Sequence, residues 1–178
     1  KQMMDELHEM QVHFMISIWP NMSENCSNYQ AFLEANQLLP AGNIYNAFSE
    51  EGRNLYWEQV REAFFQYGVD SFWCDSSEPY TPEWNHLRRQ EPHAMFTEYC
   101  NEVGNHIPAW LTNAFSLYHA KSIYEGQRKT KIDGQKEKRV FNLTRSAYTG
   151  QQRYGTVMWS GDTGASWDTL RKQIRNGL

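Results

Sequence analysis

Cysteine is scarce in this chain, and its pattern excludes the sites that cysteine usually builds. The three residues, Cys26, Cys74 and Cys100, are an odd number with no spacing typical of a zinc site, so we expect reduced thiols. The sequence accordingly predicts no metal centre and no cofactor. Reduced cysteines and the lack of a signal peptide in this segment favour a cytoplasmic location, although the compartment itself is left open.

Long apolar runs and an excess of positive charge are also missing. The longest apolar runs are far shorter than the roughly 20 residues that a transmembrane helix needs. The net charge of −4 gives no general attraction to nucleic acid. We therefore expect neither a membrane nor a nucleic acid as a partner. One basic stretch, residues 127–139, has six basic and two acidic residues and is interpreted as a solvated helix end and loop.

Aromatic residues, in contrast, are abundant. They make up 15% of the 178 residues, and seven of them are tryptophans. Such a content is typical either of a site for sugars and other flat-faced ligands or of a bulky core. The length is sufficient for one domain with its own core. Because the chain begins inside a helical pattern and ends just after another, we expect it to be a piece of a longer polypeptide.

Apolar periodicity and stop signals predict alternating helices and strands. Strands are predicted at residues 12–19, 69–74, 140–144 and 156–159, and helices at 1–10, 28–39, 49–66, 94–103, 108–124 and 166–176. A break is predicted at 40–42, a loop at 78–91, and a helix stop at Gly126. Helices between strands imply parallel pairing, so the predicted fold class is α/β.

Two carboxylates follow predicted strands. Asp75 directly follows the apolar strand in GVDSFWCDSSEP, and Asp162 follows the strand in VMWSGD after a short turn. Reactive groups of parallel α/β proteins lie at the carboxyl ends of strands, so both acids are expected at one mouth. A pair of carboxylates placed in this way can cleave a glycosidic bond. The alternative for each is an aspartate that caps the next helix.

Arg145 and three tryptophans occupy comparable positions. Arg145 follows the strand 140–144, where it can bind sugar hydroxyls, hold a carboxylate in its charged form, or form an ordinary structural ion pair. At or near the ends of three strands are Trp19, Trp73 and Trp159. They are candidates for the apolar walls of a sugar pocket, with burial in the core as the alternative.

A family resemblance is carried by three segments, FWCDSSEP, VFNLTRSAYTGQQRYGTVMWSGD and FMISIWPNM. They are similar, respectively, to the nucleophile motif, the second signature and the preceding barrel strand of glycoside hydrolase family 31. The resemblance extends through nearly the whole chain, and its motifs are specific. All three occur in the family's order and with workable spacing.

The resemblance implies a (β/α)8 barrel that cleaves α-linked sugars with retention of configuration. It implies that Asp75 is the nucleophile and Asp162 the general acid/base. It also implies that Arg145 contacts the innermost sugar and that Trp73 and Trp159 line the pocket. The implied substrate is an α-linked oligosaccharide or another α-glycoside.

Some residues depart from the commonest family pattern. Many α-glucosidases of the family have Asp-Met-Asn-Glu at the nucleophile, whereas residues 75–78 are Asp-Ser-Ser-Glu. Together with ISIWP, this difference favours the α-xylosidase side of the family over the α-glucosidase side. Arg153 matches a family arginine that we interpret as structural.

Residues 1–178 are expected to form a single segment of the barrel that resembles its third to sixth strands. A half-barrel has two open edges, so we expect the segment alone to be inactive. It should associate with the remainder of the barrel or with another copy of itself. Two alternatives stay open, a non-catalytic carbohydrate-binding relative and a structural α/β module without a ligand.

Overall fold

The computed structural model describes residues 1–39, 43–78, 92–104, 107–132 and 138–177. The helices are α1 (Gln2–Glu9), α2 (Ser27–Glu34), α3 (Glu50–Ala63), α4 (Pro92–Gly104), α5 (Phe115–Lys129) and α6 (Trp167–Gly177). The strands are β1 (Met15–Ile18), β2 (Ser71–Cys74), β3 (Asn142–Thr144) and β4 (Thr156–Met158). The predicted break at 40–42 and residues 79–91 of the predicted loop lie outside the described residues. Among the described helices, none combines the length and hydropathy needed to cross a membrane.

The strands of the described residues form one parallel sheet in the order β1-β2-β3-β4, as the alternating pattern predicts. Their carboxyl ends are level, because Ile18 pairs with Cys74, Cys74 with Thr144, and Thr144 with Met158. Helical segments connect the first three strands, whereas a short 3-10 turn (Gln151–Tyr154) joins β3 to β4. Residues that follow the strands therefore lie along a single edge of the sheet.

The strands are shorter than the apolar runs that predicted them. β2 begins at Ser71, although Val69 before it is also buried. Periodicity reports which side chains are buried, whereas the bounds of a strand depend on where a neighbour supplies hydrogen bonds.

Helix α3 starts where the sequence predicts, whereas the predicted stop at Gly68 belongs to a short 3-10 turn that follows the helix. Oγ of Ser49 accepts a hydrogen bond from the amide of Gly52 at 3.3 Å, which caps the first turn. The α-helix ends at Ala63, and a 3-10 turn continues to Gly68, whose φ of 103° is the left-handed conformation that glycine favours. The predicted helix 49–66 is therefore two helical segments.

Helix α5 contradicts two predictions. It begins at Phe115 rather than at Pro108, because a 3-10 turn (Ala109–Ala114) occupies the first part of the predicted segment. It also passes through Gly126, which was predicted to end it. A Cβ on Gly126 would lie 2.0 Å from Cδ2 of Trp57 on α3. This glycine is required for the close approach of two helices and does not mark a stop.

The core lies between the sheet and helices α3 and α5. Phe72 of β2 is completely buried, and its ring meets Trp57 edge-on with ring centroids 6.2 Å apart. Deeper in the core, the hydroxyl of Tyr45 lies 2.8 Å from Nδ1 of His119. Burial lowers the pKa of His119 to about 3, so the ring is neutral near pH 7. Side chains alternate along β2, so Trp73 is directed to the face opposite this core.

The flank of the sheet at β4 is apolar and exposed. Val157 and Met158 are 46% and 61% exposed. On α6, Trp167, Leu170 and Ile174 recur at helical spacing, and all three are exposed. Exposed apolar edge strands and helix faces are surfaces that further protein normally covers.

Candidate active site

The residues that follow the strands are held at one edge of the sheet by main-chain hydrogen bonds. The amide of Asp75 donates to the last residue of β1 at 3.1 Å. The amide of Arg145 donates to the last residue of β2, and that of Trp159 to the last residue of β3, both at 3.3 Å. Each bond extends the parallel ladder one step beyond the strands. The main chain therefore fixes Asp75, Arg145 and Trp159 at neighbouring positions along this edge.

Asp75 is in direct contact with Arg145. Nη1 of Arg145 lies 3.0 Å from Oδ1 of Asp75, and the amide of Ser76 donates to the same oxygen at 2.8 Å. The side chains of Arg145 and Asp75 are 12% and 20% exposed, so the pair is shielded yet open to a small ligand. Both donors interact with the charge of the carboxylate and restrict its rotation.

Glu78 forms a second ion pair with Arg145. Nη2 lies 2.9 Å from Oε2 of Glu78, and Nε lies 3.2 Å from both carboxylate oxygens. Nη2 also donates to Oγ of Ser76 at 3.0 Å. Both Glu78 and Ser76 belong to the motif around Asp75, but the sequence alone indicates no role for either residue. The only signal for them in the sequence is that they are polar and close to Asp75.

Asp162 adds a further carboxylate beside the same guanidinium. It follows β4 after a turn at Gly161 (φ 75°), where a Cβ would lie 3.8 Å from Cδ of Arg145. Burial lowers the pKa of Arg145, but its hydrogen bond to Glu78 and the charges of Glu78, Asp75 and Asp162 outweigh burial and raise it. Arg145 is therefore a permanent cation among three carboxylates.

The helix-cap alternative does not describe either aspartate. For α6, the cap is Ser166, whose Oγ accepts from the amide of Thr169 at 3.1 Å, while Asp162 lies earlier in the loop. The carboxylate of Asp75 is bound by Arg145 and by the amide of the next residue. The strand-end position of both acids is thus separate from helix capping.

Trp73 and Trp19 are exposed at this edge and Trp159 is half-buried, so none of the three belongs to the buried core. Trp73 is 41% exposed and meets Trp159 edge to face, with ring centroids 5.5 Å apart. Trp19, directly after β1, is 48% exposed, and its carbonyl accepts a hydrogen bond from the hydroxyl of Tyr56 at 2.9 Å. The structure brings Trp73 and Trp159 together and leaves the ring of Trp19 open to solvent.

The loop between β3 and β4 is fastened by its own polar side chains. Gln151 is buried, and its amide group donates to the carbonyl of Ser146 and accepts from the amide of Tyr148, both at 3.1 Å. Arg153 is exposed and donates to the carbonyl of Gly150 at 3.0 Å within the same turn. These contacts hold β4 beside β3.

Carboxylates, a guanidinium and aromatic rings supply the chemistry of this edge. Among the described residues, no group of three or more histidine, cysteine or carboxylate side chains is arranged to hold a metal ion. Carboxylates can attack a carbon centre or exchange protons, and aromatic rings can pack against the apolar faces of a sugar.

One family model matches the chain over its whole length. It describes the TIM-barrel domain of glycosyl hydrolases family 31, and the match covers residues 1–178. The chain belongs to glycoside hydrolase family 31. The family and fold class inferred from the sequence are thereby confirmed. The parallel strands with their flanking helices are a partial (β/α)8 barrel.

The relatives of this family 31 chain include α-xylosidases. It is 34% identical over 180 residues to an α-xylosidase of Saccharolobus solfataricus, along 100% of the chain and 23% of the relative. The crystal structure of a family 31 α-xylosidase from Xanthomonas citri matches with a TM-score of 0.79 and 28% identity, over 99% of the chain and 20% of the relative. A family 31 α-xylosidase from a soil metagenome was solved in complex with xylose. It matches with a TM-score of 0.74 and 29% identity, over 99% of this chain and 26% of the relative. The chain thus spans about a quarter of the length of these relatives.

Proposed function

We propose that the chain is the central part of the catalytic barrel of a retaining α-glycoside hydrolase, corresponding to the third to sixth strands. The observation that carries the proposal is the 3.0 Å contact between Asp75 and Arg145 beside Asp162, at the carboxyl edge of a parallel sheet. The proposed substrates are terminal α-linked xylosides, and α-glucosides are the second candidate.

The proposed reaction is a double displacement. A carboxylate oxygen of Asp75 attacks the anomeric carbon while Asp162 gives its proton to the departing glycosidic oxygen, which leaves as an alcohol. Asp162, now deprotonated, removes a proton from water, and that water attacks the same carbon and releases Asp75. Two inversions give net retention, and the mechanism requires the two carboxyl groups to be about 5–5.5 Å apart.

The surroundings of the two acids support this division of roles. Asp75 is bound by Arg145 and by the amide of Ser76, which suits an anion that must keep one orientation for attack. Asp162 is exposed on the turn after β4, which suits a group that must act on a water molecule in the second step.

The aromatic rings at this edge and two similar α-xylosidase structures support a sugar as the substrate. Trp73 and Trp159 form an edge-to-face pair beside the acids, and Trp19 presents a third ring at the same edge. Flat rings of this kind pack well against the apolar faces of a pyranose. The Asp-Ser-Ser-Glu sequence and the two α-xylosidase structures, one holding xylose, favour xylosides over glucosides.

Further strands are needed to complete the proposed site. A barrel of this type has eight strands, and the described residues supply four. The exposed apolar side chains of β4 and α6 support a partner that continues the barrel at this flank. The isolated chain is accordingly proposed to be inactive.

Replacing each aspartate in the full-length protein tests the two roles separately. Asp75→Ala should lower turnover of an aryl α-xyloside by more than about a thousandfold. With α-xylosyl fluoride, azide should restore turnover of this variant and give the β-azide, because azide attacks in place of Asp75. Asp162→Ala should still form the glycosyl-enzyme, which azide then attacks from the opposite face to give the α-azide.

The controls separate this proposal from its alternatives. Asp168→Ala removes an aspartate on α6 that pairs with Lys172 at 2.6 Å, and it should keep wild-type rates. Wild-type turnover in Asp75→Ala, or the same azide anomer from both variants, would contradict the assignment. Comparison of aryl α-xylosides with α-glucosides decides between the two substrates. Binding without turnover would favour a non-catalytic relative, and no binding of any α-glycoside would favour a structural module.

A further inference from the structure

Ser76 links the proposed nucleophile to Arg145 through both its main chain and its side chain. Its amide donates to Oδ1 of Asp75 at 2.8 Å, and its Oγ accepts from Nη2 of Arg145 at 3.0 Å. Ser76 is only 1% exposed, so these contacts are formed away from solvent. A buried hydroxyl that accepts from a guanidinium is a charge-assisted hydrogen bond.

The backbone of Ser76 is in an unusual conformation. Its φ of 47° lies in the left-handed region, where residues other than glycine are uncommon. Such strain persists only where the surrounding contacts maintain it, and it is concentrated at functional sites. Here the amide and the hydroxyl of the strained residue both bind members of the charged cluster.

The neighbouring Ser77 makes a different set of contacts. Its Oγ accepts from the amide of Ser146 at 2.9 Å and lies 3.0 Å from Oγ1 of Thr144. These bonds fasten the loop to the end of β3. The two serines are therefore not equivalent, because Ser77 holds the loop in place and Ser76 holds the guanidinium.

Arg145 is shared between two carboxylates that bind it unequally. Both oxygens of Glu78 meet Nε and Nη2, whereas Asp75 meets Nη1 through one oxygen. Two-pronged pairs are the stronger geometry, so a guanidinium held by these two groups alone would be drawn toward Glu78. A third contact, from Nη2 to the hydroxyl of Ser76, adds a restraint on the guanidinium that comes from neither carboxylate.

We propose that Ser76 is a positioning residue for the reaction proposed above. Its hydroxyl holds the guanidinium of Arg145 so that Nη1 stays against Oδ1 of Asp75, and the nucleophile keeps one orientation for attack. The inference rests on the proposed function, because it assigns a task within that site.

The test removes the hydroxyl of Ser76 in the full-length protein. Ser76→Ala and Ser76→Gly both lack Oγ, and glycine also accepts the left-handed φ without strain. We expect each variant to lower kcat for a phenyl α-xyloside by about tenfold and to change KM by less than about twofold. Similar losses in both variants would assign the effect to the hydroxyl. Ser122→Ala is the matched control, since it removes a buried hydroxyl that donates to the carbonyl of Arg53 at 2.8 Å, and it should keep wild-type kcat.

A double-mutant cycle with Arg145→Lys separates positioning from a general structural role. Lysine keeps the charge but loses the planar fork of the guanidinium. If Ser76 acts through that fork, adding Ser76→Ala to Arg145→Lys should change kcat by less than about twofold. An equal loss in both backgrounds, wild-type kcat in both Ser76 variants, or a matching loss in Ser122→Ala would overturn the proposal. Turnover that survives Asp75→Ala would instead remove the proposed function itself.

Discussion

Arg145 organises the site at the scale of single residues. Its guanidinium lies within 3.2 Å of Asp75, Ser76 and Glu78, and Asp162 adds a further charge beside it. Three carboxylates at one strand edge would repel one another, and a cation among them offsets that repulsion. The arginine therefore serves both as a counter-charge and as the part that orients the carboxylate of Asp75.

Glu78→Gln tests the ion pair in which both carboxylate oxygens contact Arg145. The amide keeps the shape of the carboxylate and removes its charge, so the guanidinium loses its closest charged contact, at 2.9 Å. We expect kcat/KM of the full-length protein for an aryl α-xyloside to fall by about tenfold or more. Glu58→Gln is the matched control, because it removes a pair with Nε of Arg61 (2.8 Å) on the exposed face of α3. It should leave kcat/KM within about twofold. Wild-type kcat/KM in Glu78→Gln would show that Arg145 is held without this pair.

At the scale of elements, helices α3 and α5 support β2 from behind the site. The ring of Trp57 lies against Gly126, and its Nε1 donates to Oγ1 of Thr130 at 2.9 Å. The same ring system meets Phe72 of β2 edge-on. The packing of this helix crossing therefore lies against β2, the strand that Asp75 directly follows.

Gly126→Ala should destabilise the protein, although alanine is the better helix former by up to about 1 kcal/mol. The new Cβ would lie 2.0 Å from Cδ2 of Trp57 and must displace the ring. Overpacking of this kind costs about 1–3 kcal/mol, so we expect a lower unfolding temperature of the full-length protein by scanning calorimetry. Gly104→Ala is the matched control, since the described residues leave open space at its Cβ position. An unchanged unfolding temperature in Gly126→Ala would mean that the crossing relaxes at no cost.

Local signals explain which elements were predictable. The cap at Ser49 and the stop at Gly68 each depend on residues only a few positions away in the chain. Both features can therefore be predicted from the sequence. The role of Gly126 was not visible, because a glycine that ends a helix and a glycine that accommodates a distant ring have the same sequence signature. The start of α5 was missed for a related reason, since proline also precedes 3-10 turns.

At the scale of the whole molecule, the described sheet is open at both flanks. β1 and β4 each have one strand neighbour, and the exposed side chains of β4 and α6 are apolar. The level carboxyl ends of the strands bring the acids together, whereas the apolar flank is a surface for further protein.

The isolated chain of 178 residues should self-associate. The apolar face of α6 loses contact with water when two copies meet, and that burial favours association. Size-exclusion chromatography with light scattering should give a mass above that of a monomer. Ile174→Glu, on the exposed face of α6, should shift the population toward the monomer. Leu33→Glu, at a residue of α2 that is 52% exposed, should not. A clean monomer of the wild-type chain would contradict the prediction.

The sequence by itself determined the family, the parallel α/β class and the positions of Asp75, Arg145, Asp162 and the tryptophans at strand ends. The family follows from the resemblance of three sequence motifs. The α/β class and the strand-end positions follow from local patterns, because an apolar run and the polar residue after it are neighbours in the chain. Only the tertiary structure decided how Arg145 is shared. Its contacts with Ser76 and Glu78 join residues 69 and 67 positions apart, and they depend on the register between β2 and β3. Side-chain geometry across that distance has no local signature, since it exists only once the parallel strands are paired.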